Sequence, residues 1–264
     1  LSDLKKFIKW YRDTAGELPE VGVVGPLDIA EFKRHLQNRK QKPATINRAL
    51  RSLKTFFKWA VERGRIDRDP AGDIKPVSEV KNTPRALGRK EQQALMRAVR
   101  KSGKERDIAI ITLLLHTGLR VSELCALNVD DVTIRERSGH VVVRSGKGNK
   151  YREVPLNLTA RRALSEWLEI RGSDSGPLFP GRGGKHITAR NIEYMISRYA
   201  YGARLENVTP HVLRHTFCKS LVDAGESLDR VAVLAGHADL NTTAKYTRPT
   251  RKDLQNSVDK LAWE

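Results

Sequence analysis

The stretch DIAIITLLLHTGLRVSELCAL, residues 107–127, decides how the second part of this chain folds. Residues 107–116 are almost all apolar, which predicts a helix buried on every side. Gly118 indicates a turn, and a short helix is expected after it. Arg120 follows directly and is costly to hide unless it is paired. Glu123, three residues further on the same helical face, could orient it, although an ordinary surface salt bridge explains both residues equally well.

Helical periodicity dominates the rest of the chain as well. It predicts helices that begin near Ser2, Asp28 and Pro43, and a short helix at residues 69–74. Beyond residue 88, helices are predicted at 91–99, 160–170, 189–199, 210–224, 228–234 and 252–263. Strands are predicted at 129–134, 140–144 and 151–156, the last two joined by the turn SGKGNK at 145–150. The predicted fold class is mainly α (α+β), with one small antiparallel sheet.

The length of the chain, 264 residues, is sufficient for two domains. The segment KPVSEVKNTPRAL (75–87) holds two prolines and shows little periodicity, which is typical of a linker. We therefore expect a helical domain at 1–76, a linker at 77–87 and a second, mostly helical domain that carries the sheet at 88–264.

The composition is strongly basic. Lys and Arg number 49 against 31 Asp and Glu, which gives a net charge of +18. The excess is spread over both parts of the chain and is not confined to a tail. Such a field attracts a polyanion, most often DNA or RNA. A ribosomal-type protein and a merely basic soluble enzyme are the alternatives.

The helix predicted after Pro43 has basic and polar side chains on the face opposite its apolar stripe. Charged helix faces are often only solvated, but in so basic a chain we favour contact with phosphates. The candidate DNA-binding residues are Lys42, Thr45, Arg48, Arg51 and Lys54.

The two cysteines, Cys125 and Cys218, lack CxxC spacing and indicate neither a zinc ribbon nor a disulfide framework. A reduced, cytoplasmic setting is expected. The longest apolar run, 108–115, is too short to span a bilayer, and the sequence has no signal-peptide pattern. His211 and His215 have the spacing of a zinc-binding HExxH helix, but Val212 occupies the position of its glutamate, so no metal site is expected.

A second stretch, LAGHADLNTTAKYT (234–247), sets Tyr246 on a small polar segment. A phenol with a pKa of about 10 is a poor nucleophile at neutral pH, so a reactive tyrosine needs activating groups. Candidates are His211 and Arg214, one helical turn apart in TPHVLRHTF (209–217), Lys147 in the glycine-flanked turn, and His237 after Gly236. Taken singly, these residues are also compatible with a basic helix start, a solvated lysine, a helix cap and a packed tyrosine.

As a set, these side chains suit attack on a phosphodiester. Two guanidiniums can hold the non-bridging oxygens and stabilise the charge that gathers on a five-coordinate phosphorus. A lysine can protonate the departing alkoxide, and an imidazole can accept the phenol proton. The product is a phosphotyrosyl ester, and with two arginines in place neither a metal nor another cofactor is required.

The motifs HTGLRVSEL, GKGNKYREVPL, HVLRHTF and LAGHADLNTTAKYT resemble the conserved boxes of the tyrosine recombinase (phage integrase) family, in the family's order. They are most similar to the Xer-like and transposon-resolving branch. The resemblance spans roughly residues 84–250, and the helical N-terminal part resembles the family's core-binding (SAM-like) domain.

The resemblance implies a role for each matching residue. Arg120 and Arg214 would clamp the scissile phosphate, and Lys147 would be the general acid towards the 5′ oxygen. His211 would assist proton transfer, and His237 would hydrogen-bond the phosphate. The nucleophile would be Tyr246, forming a 3′-phosphotyrosyl bond, with Glu123 in the acidic position beside the first arginine.

The resemblance also implies the partners: double-stranded DNA with an inverted-repeat core site, and a homo-tetramer on two such sites. The apolar stripe of the predicted helix 252–263 would dock on a neighbouring subunit, or on its own domain. A cytoplasmic, nucleoid-associated site-specific recombinase is thus expected. The alternatives are a non-catalytic DNA-binding or accessory protein of the same fold and a relaxing topoisomerase with the same nucleophile.

Overall fold

The computed structural model describes residues 2–79, 84–144, 151–236 and 243–244. The chain divides into two compact units, Leu1–Asn82 and Thr83–Glu264. The predicted helix at 252–263 and the predicted turn at 145–150 lie outside the described residues. None of the helices in these described ranges combines the length and the apolar composition that a membrane span requires.

The described part of the first unit, residues 2–79, holds three helices: α1 (Ser2–Ala15), α2 (Pro26–Asn38) and α3 (Pro43–Glu62). Their apolar stripes meet in a core in which Phe7 packs edge-on against Phe32, with ring centroids 5.2 Å apart. The three helices are where the periodicity predicts them. The start of α2 differs, because Asp28 lies inside the first turn and its carboxylate accepts a hydrogen bond from the Gly25 amide at 2.8 Å.

The prediction of a short helix at residues 69–74 is wrong. These residues form a single turn, in which the Asp69 carboxylate accepts from the Ala71 amide at 2.8 Å. A side chain that bonds its own backbone in this way competes with helix formation. The ammonium of Lys54 donates to the Gly72 carbonyl at 2.8 Å and holds the turn against α3.

The second unit is built mainly from helices around one small sheet. Its helices are α4 (Arg89–Arg100), α5 (Glu105–Thr117), α6 (Val121–Ala126), α7 (Leu158–Arg171), α8 (Ala189–Gly202), α9 (Pro210–Asp223) and α10 (Leu228–Ala235). The strands β1 (Val132–Ile134), β2 (Gly139–Arg144) and β3 (Tyr151–Pro155) form an antiparallel sheet in sequence order. The predicted helices and strands within the described residues of this second unit are confirmed, with small shifts at their ends. The largest shifts are at the start of β1, which is preceded by a 3₁₀ turn, Val129–Asp131, and at the end of α8, which continues beyond the predicted residue 199 to Gly202.

Helix α5 lies in the centre of the second unit, as its apolar sequence predicts. Ile110, Ile111, Leu113 and Leu114 are fully buried, and the helix packs against α7 and α9. Full burial of an aliphatic side chain contributes about 1.5–3 kcal/mol, so this helix is a major source of stability for the unit. Its position fixes where the following turn, and hence Arg120, enters the fold.

The turn after α5 depends on a glycine. Gly118 has φ +62°, in the left-handed region, and the ring of Phe217 on α9 lies where a side chain would stand. A Cβ atom at Gly118 would be 2.3 Å from Cδ1 of Phe217. The close approach of α9 to the end of α5 therefore requires a residue without a side chain.

We predict that Gly118→Ala destabilises the protein more than Gly103→Ala. Gly103 has nearly the same φ, +61°, but no neighbour within 4 Å of the added Cβ, so its replacement adds only backbone strain of about 1–2 kcal/mol. Gly118→Ala should cost about 1–3 kcal/mol more, because Phe217 must also move. Urea unfolding of both variants measures the difference. Equal losses would show that contact with Phe217 does not constrain the turn.

Candidate active site

Arg120 and Glu123 begin helix α6 and bind each other. Arg120 is the N-cap residue, and its amide donates to Glu123 Oε2 at 2.8 Å. Its guanidinium donates from Nη1 to Glu123 Oε1 at 2.7 Å. The glutamate therefore caps the helix and orients the arginine at the same time. In this pair Glu123 is only 10% exposed and Arg120 is 42% exposed, so it differs from a salt bridge in which both side chains are solvated.

The ends of helices α5 and α10 supply the remaining acceptors. Arg214 on α9 is only 3% exposed, and its guanidinium donates to the carbonyls of Gly118 and, at 2.6 Å, Ala235. Arg120 donates from Nη2 to the carbonyl of Gly236 at 2.8 Å. The last carbonyls of a helix lack partners within it and carry partial negative charge, which suits cations. The two guanidiniums are thus bound to consecutive carbonyls, and the charge of Arg120 acts on Arg214.

Burial and the closeness of these charges change the pKa values of Arg214 and Glu123. Burial, followed by the nearby positive charge of Arg120, lowers the pKa of Arg214 from its ordinary value. Arginine nevertheless stays charged in proteins. Burial alone would raise the pKa of Glu123, but hydrogen bonds from Arg152 and Arg120 outweigh it and lower the pKa to about 2. The site therefore keeps its ion pairs throughout the physiological range.

Arg152 on β3 belongs to this cluster and is absent from the predicted set. Its guanidinium donates to both carboxylate oxygens of Glu123, at 3.1 and 2.8 Å. A signal for it exists in the sequence, because Arg152 lies two residues before Val154 and so shares the inward face of the strand with it. An arginine on a buried strand face needs a partner.

His211 and Arg214 both lie on α9, one turn apart, as the sequence predicts. His211 is exposed at the start of the helix, and its ring centroid is 5.1 Å from that of His215. Val212, between them, is buried in the core. The position that a zinc-dependent hydrolase would fill with a glutamate base therefore faces inward.

Three residues of the predicted catalytic set lie outside the described residues: Lys147, His237 and Tyr246. Their neighbours in sequence are described. Lys147 falls between the ends of β2 and β3, and His237 follows Gly236, whose carbonyl holds Arg120.

On α3, the predicted DNA-binding residues fall into two groups. Lys42, at the N-cap, and Arg51 are exposed, and Thr45 is half-buried. Arg48 donates to both carboxylate oxygens of the buried Asp3 on α1, at 3.0 and 3.1 Å, and Lys54 holds the Gly72 carbonyl. Arg48 and Lys54 therefore have a structural role within the first unit, which the charge pattern alone does not reveal.

Comparison with known proteins identifies the family. The profile of the phage integrase family matches residues 85–253, and that of the phage integrase N-terminal SAM-like domain matches residues 1–64. Tyrosine recombinase XerC of Corynebacterium glutamicum is 34% identical over 223 residues, which cover 82% of this chain and 71% of the relative. XerC of Neisseria meningitidis is 35% identical over 227 residues, covering 84% and 73%.

A solved structure has the same fold. The XerH site-specific recombinase in its post-cleavage complex with palindromic difH substrate superposes with a TM-score of 0.80 at 22% identity, over 95% of this chain and 76% of that one. This structural match and the sequence matches confirm the predicted fold class and the family resemblance seen in the motifs. The chain belongs to the phage integrase family of tyrosine recombinases and is a site-specific recombinase that cuts and rejoins DNA strands.

Proposed function

We propose that this recombinase cuts DNA with Tyr246. The phenol oxygen attacks the scissile phosphorus, a 3′-phosphotyrosyl ester forms, and the 5′ oxygen leaves. Attack of a 5′ hydroxyl on that ester then rejoins the strand and releases the phenol. Because the ester conserves the energy of the broken linkage, neither ATP nor another cofactor is consumed.

The observation that supports this proposal most strongly is the placement of two guanidiniums on consecutive carbonyls. Arg120 and Arg214 are anchored at residues 236 and 235, so both can face one phosphate group. Guanidiniums bind phosphate oxygens through paired donors, and they stabilise the transition state best when they are fixed beforehand. We assign Arg120 and Arg214 to the non-bridging oxygens, with Glu123 orienting Arg120.

The other members of the set take the roles that their chemistry allows. Lys147 protonates the departing 5′ oxygen, and His211, exposed one turn from Arg214, assists removal of the phenol proton. His237 donates a hydrogen bond to the phosphate. These assignments rest on the family motifs and on the sequence positions of the residues beside the described cluster.

The proposal extends to domains and partners. Residues 1–76 form a core-binding domain, residues 77–87 a linker and residues 88–264 the catalytic domain. The protein binds double-stranded DNA at an inverted-repeat core site. Four copies act on two sites, and the helix predicted at 252–263 docks in trans. We place the enzyme in the cytoplasm, at the nucleoid. The XerH complex with difH DNA supports DNA as the partner.

The first test is covalent capture of DNA. A pool of nicked duplexes with randomised inverted-repeat arms should yield a protein–DNA adduct on denaturing gels, and sequencing the captured DNA gives the preferred site. Tyr246→Phe should abolish the adduct. Arg120→Ala or Arg214→Ala should slow its formation by about 10²–10³-fold, the usual cost of one transition-state donor.

The control is Tyr201→Phe, which removes the hydroxyl of an exposed tyrosine on α8 and should leave adduct formation unchanged. A protein that binds the captured DNA but never forms an adduct would be an accessory binding protein. Relaxation of any supercoiled plasmid without a specific site would identify a topoisomerase.

The second test concerns the charge of Glu123. Its pKa in the folded protein, about 2, lies below its ordinary value of 4.5, so the folded state binds fewer protons than the unfolded state between these values. The stabilisation is therefore complete above pH 4.5 and is lost as the pH falls towards 2. Glu123→Gln should lower the free energy of unfolding by about 3 kcal/mol at pH 7. The difference in unfolding free energy between the variant and wild type should narrow below about pH 5.

Urea unfolding at several pH values measures this gap. Glu91→Gln is the matched control, since Glu91 caps the start of α4 in the same position but is more exposed. It should cost under about 1 kcal/mol at pH 7. A gap for Glu123→Gln that does not change with pH would contradict the ionised state assigned to Glu123.

The third test separates phosphate contact from structural support on α3. Arg51→Ala should reduce the salt dependence of DNA binding, lowering the slope of log K against log [salt] by about one. Arg48→Ala should instead lower the melting temperature, because the buried Asp3 loses its bidentate partner. Filter binding at several salt concentrations and thermal unfolding distinguish the two. An unchanged slope for Arg51→Ala would remove that residue from the DNA-binding face.

A further inference from the structure

All three nitrogen atoms of the Arg152 guanidinium bind protein acceptors. Nη1 and Nη2 donate to the two carboxylate oxygens of Glu123, at 3.1 and 2.8 Å, and Nε is 3.4 Å from the carbonyl of Leu234. The side chain is only 17% exposed. Each nitrogen of the Arg152 guanidinium is therefore engaged within the protein, and the side chain is less exposed than that of Arg120 beside it, which is 42% exposed.

Arg152 also lies against the backbone of Gly236. A Cβ atom at Gly236 would stand 2.7 Å from both Cζ and Nη1 of Arg152, so only a glycine leaves room for the guanidinium. Gly236 has φ +66° and ends helix α10. Its carbonyl is the acceptor for Nη2 of Arg120.

Arg152 thus touches both groups that hold Arg120. One is Glu123, which accepts from Nη1 of Arg120, and the other is Gly236, which accepts from Nη2. Without Arg152, the carboxylate of Glu123 would keep only the amide and Nη1 of Arg120 as donors, and it would lose the two donors that hold it from the side of β3. The end of α10 would also lose the side chain that packs against it.

We infer that Arg152 is a positioning residue for DNA cleavage, which fixes the direction of the Arg120 guanidinium by bracing both of its acceptors. The inference rests on the proposed role of Arg120 at the scissile phosphate. Arg152 is the second residue of β3 and pairs with Val143 in the sheet. It therefore ties the strand that follows Lys147 in sequence to the helix end that precedes His237.

The test separates the cleavage step from DNA binding. The nicked duplex selected by covalent capture is mixed with excess protein, and single-turnover adduct formation is followed alongside DNA affinity. Arg152→Ala should slow adduct formation by about 10–100-fold, because small displacements of a positioned group have effects of this size. DNA affinity should stay close to wild type, since the donors of Arg152 are bound to the protein.

Arg144→Ala is the matched control. Arg144 lies on β2 of the same sheet and pairs with a different carboxylate, that of Asp131, at 2.9 Å. It should cleave bound DNA at the wild-type rate. Adding guanidinium ion at low concentration should partly restore the rate of Arg152→Ala, an effect that a general loss of stability would not show.

Several results would overturn the inference. The first is a folded Arg152→Ala variant that cleaves DNA at the wild-type rate. The second is an equal loss of cleavage rate in Arg144→Ala, and the third is an Arg152→Ala variant that loses DNA affinity but not cleavage rate. If Arg152→Ala does not fold, Arg152→Lys decides the question, because one ammonium cannot hold both oxygens of Glu123 in the same geometry. That variant should be slower than wild type, and a wild-type rate would contradict the inference. Failure of the wild-type protein to form any adduct would instead refute the proposed function.

Discussion

The burial of Arg214 is the constraint on which the charged cluster of the second unit depends. A guanidinium that is 3% exposed must find acceptors inside the protein, since an unpaired buried charge costs several kcal/mol (about 3–5 for a broken pair). The carbonyls at the ends of α5 and α10 are suitable because a helix leaves its last carbonyls unpaired. Both helices end at a glycine with positive φ, Gly118 and Gly236, which turns the chain sharply and leaves those carbonyls accessible.

The same arrangement brings the other charges together. Arg120 begins the helix that follows Gly118, and its second acceptor is the carbonyl next to that of Ala235. In the described cluster the carboxylate of Glu123 binds the guanidiniums of Arg120 and Arg152, and its charge also acts on Arg214. A surplus of positive charge remains on the exposed side of Arg120. Because this surplus is fixed before the substrate arrives, a bound phosphate would meet it without reorganisation, which is where electrostatic catalysis has its largest effect.

The basic residues of this chain differ in what they contact, because some bind groups within the protein and others are exposed to solvent. Arg48 neutralises the buried Asp3 between α1 and α3, and Lys54 secures a turn, while Arg51 on the same helix is exposed. In the second unit, Arg152 acts inside the protein although its neighbour in space, Arg120, is open to solvent. A positive net charge predicts a polyanionic partner correctly, but it does not tell which cations are free to meet it.

Much of this protein is determined by local sequence. The apolar run of α5, its glycine stop and the alternation in β2 and β3 are short-range patterns, since each depends on how neighbouring residues share a face. The order and spacing of the four motifs likewise give the family. The turn at residues 69–74 shows the limit of such patterns, because a single carboxylate that bonds its own backbone outweighs a weak periodicity.

The geometry of the site is decided by tertiary structure. The contact from Arg120 to Gly236 spans 116 positions, and that from Arg152 to Glu123 spans 29. No periodicity or capping pattern extends over such distances. The motifs single out Arg120, Glu123 and Arg214 from the sequence, whereas the contacts of Arg152 with Glu123 and Leu234 arise only when β3 lies beside the start of α6 and the end of α10. The physical reason is that a buried charge takes its partner from whatever the fold places beside it, and the sequence around that charge does not record which group this is.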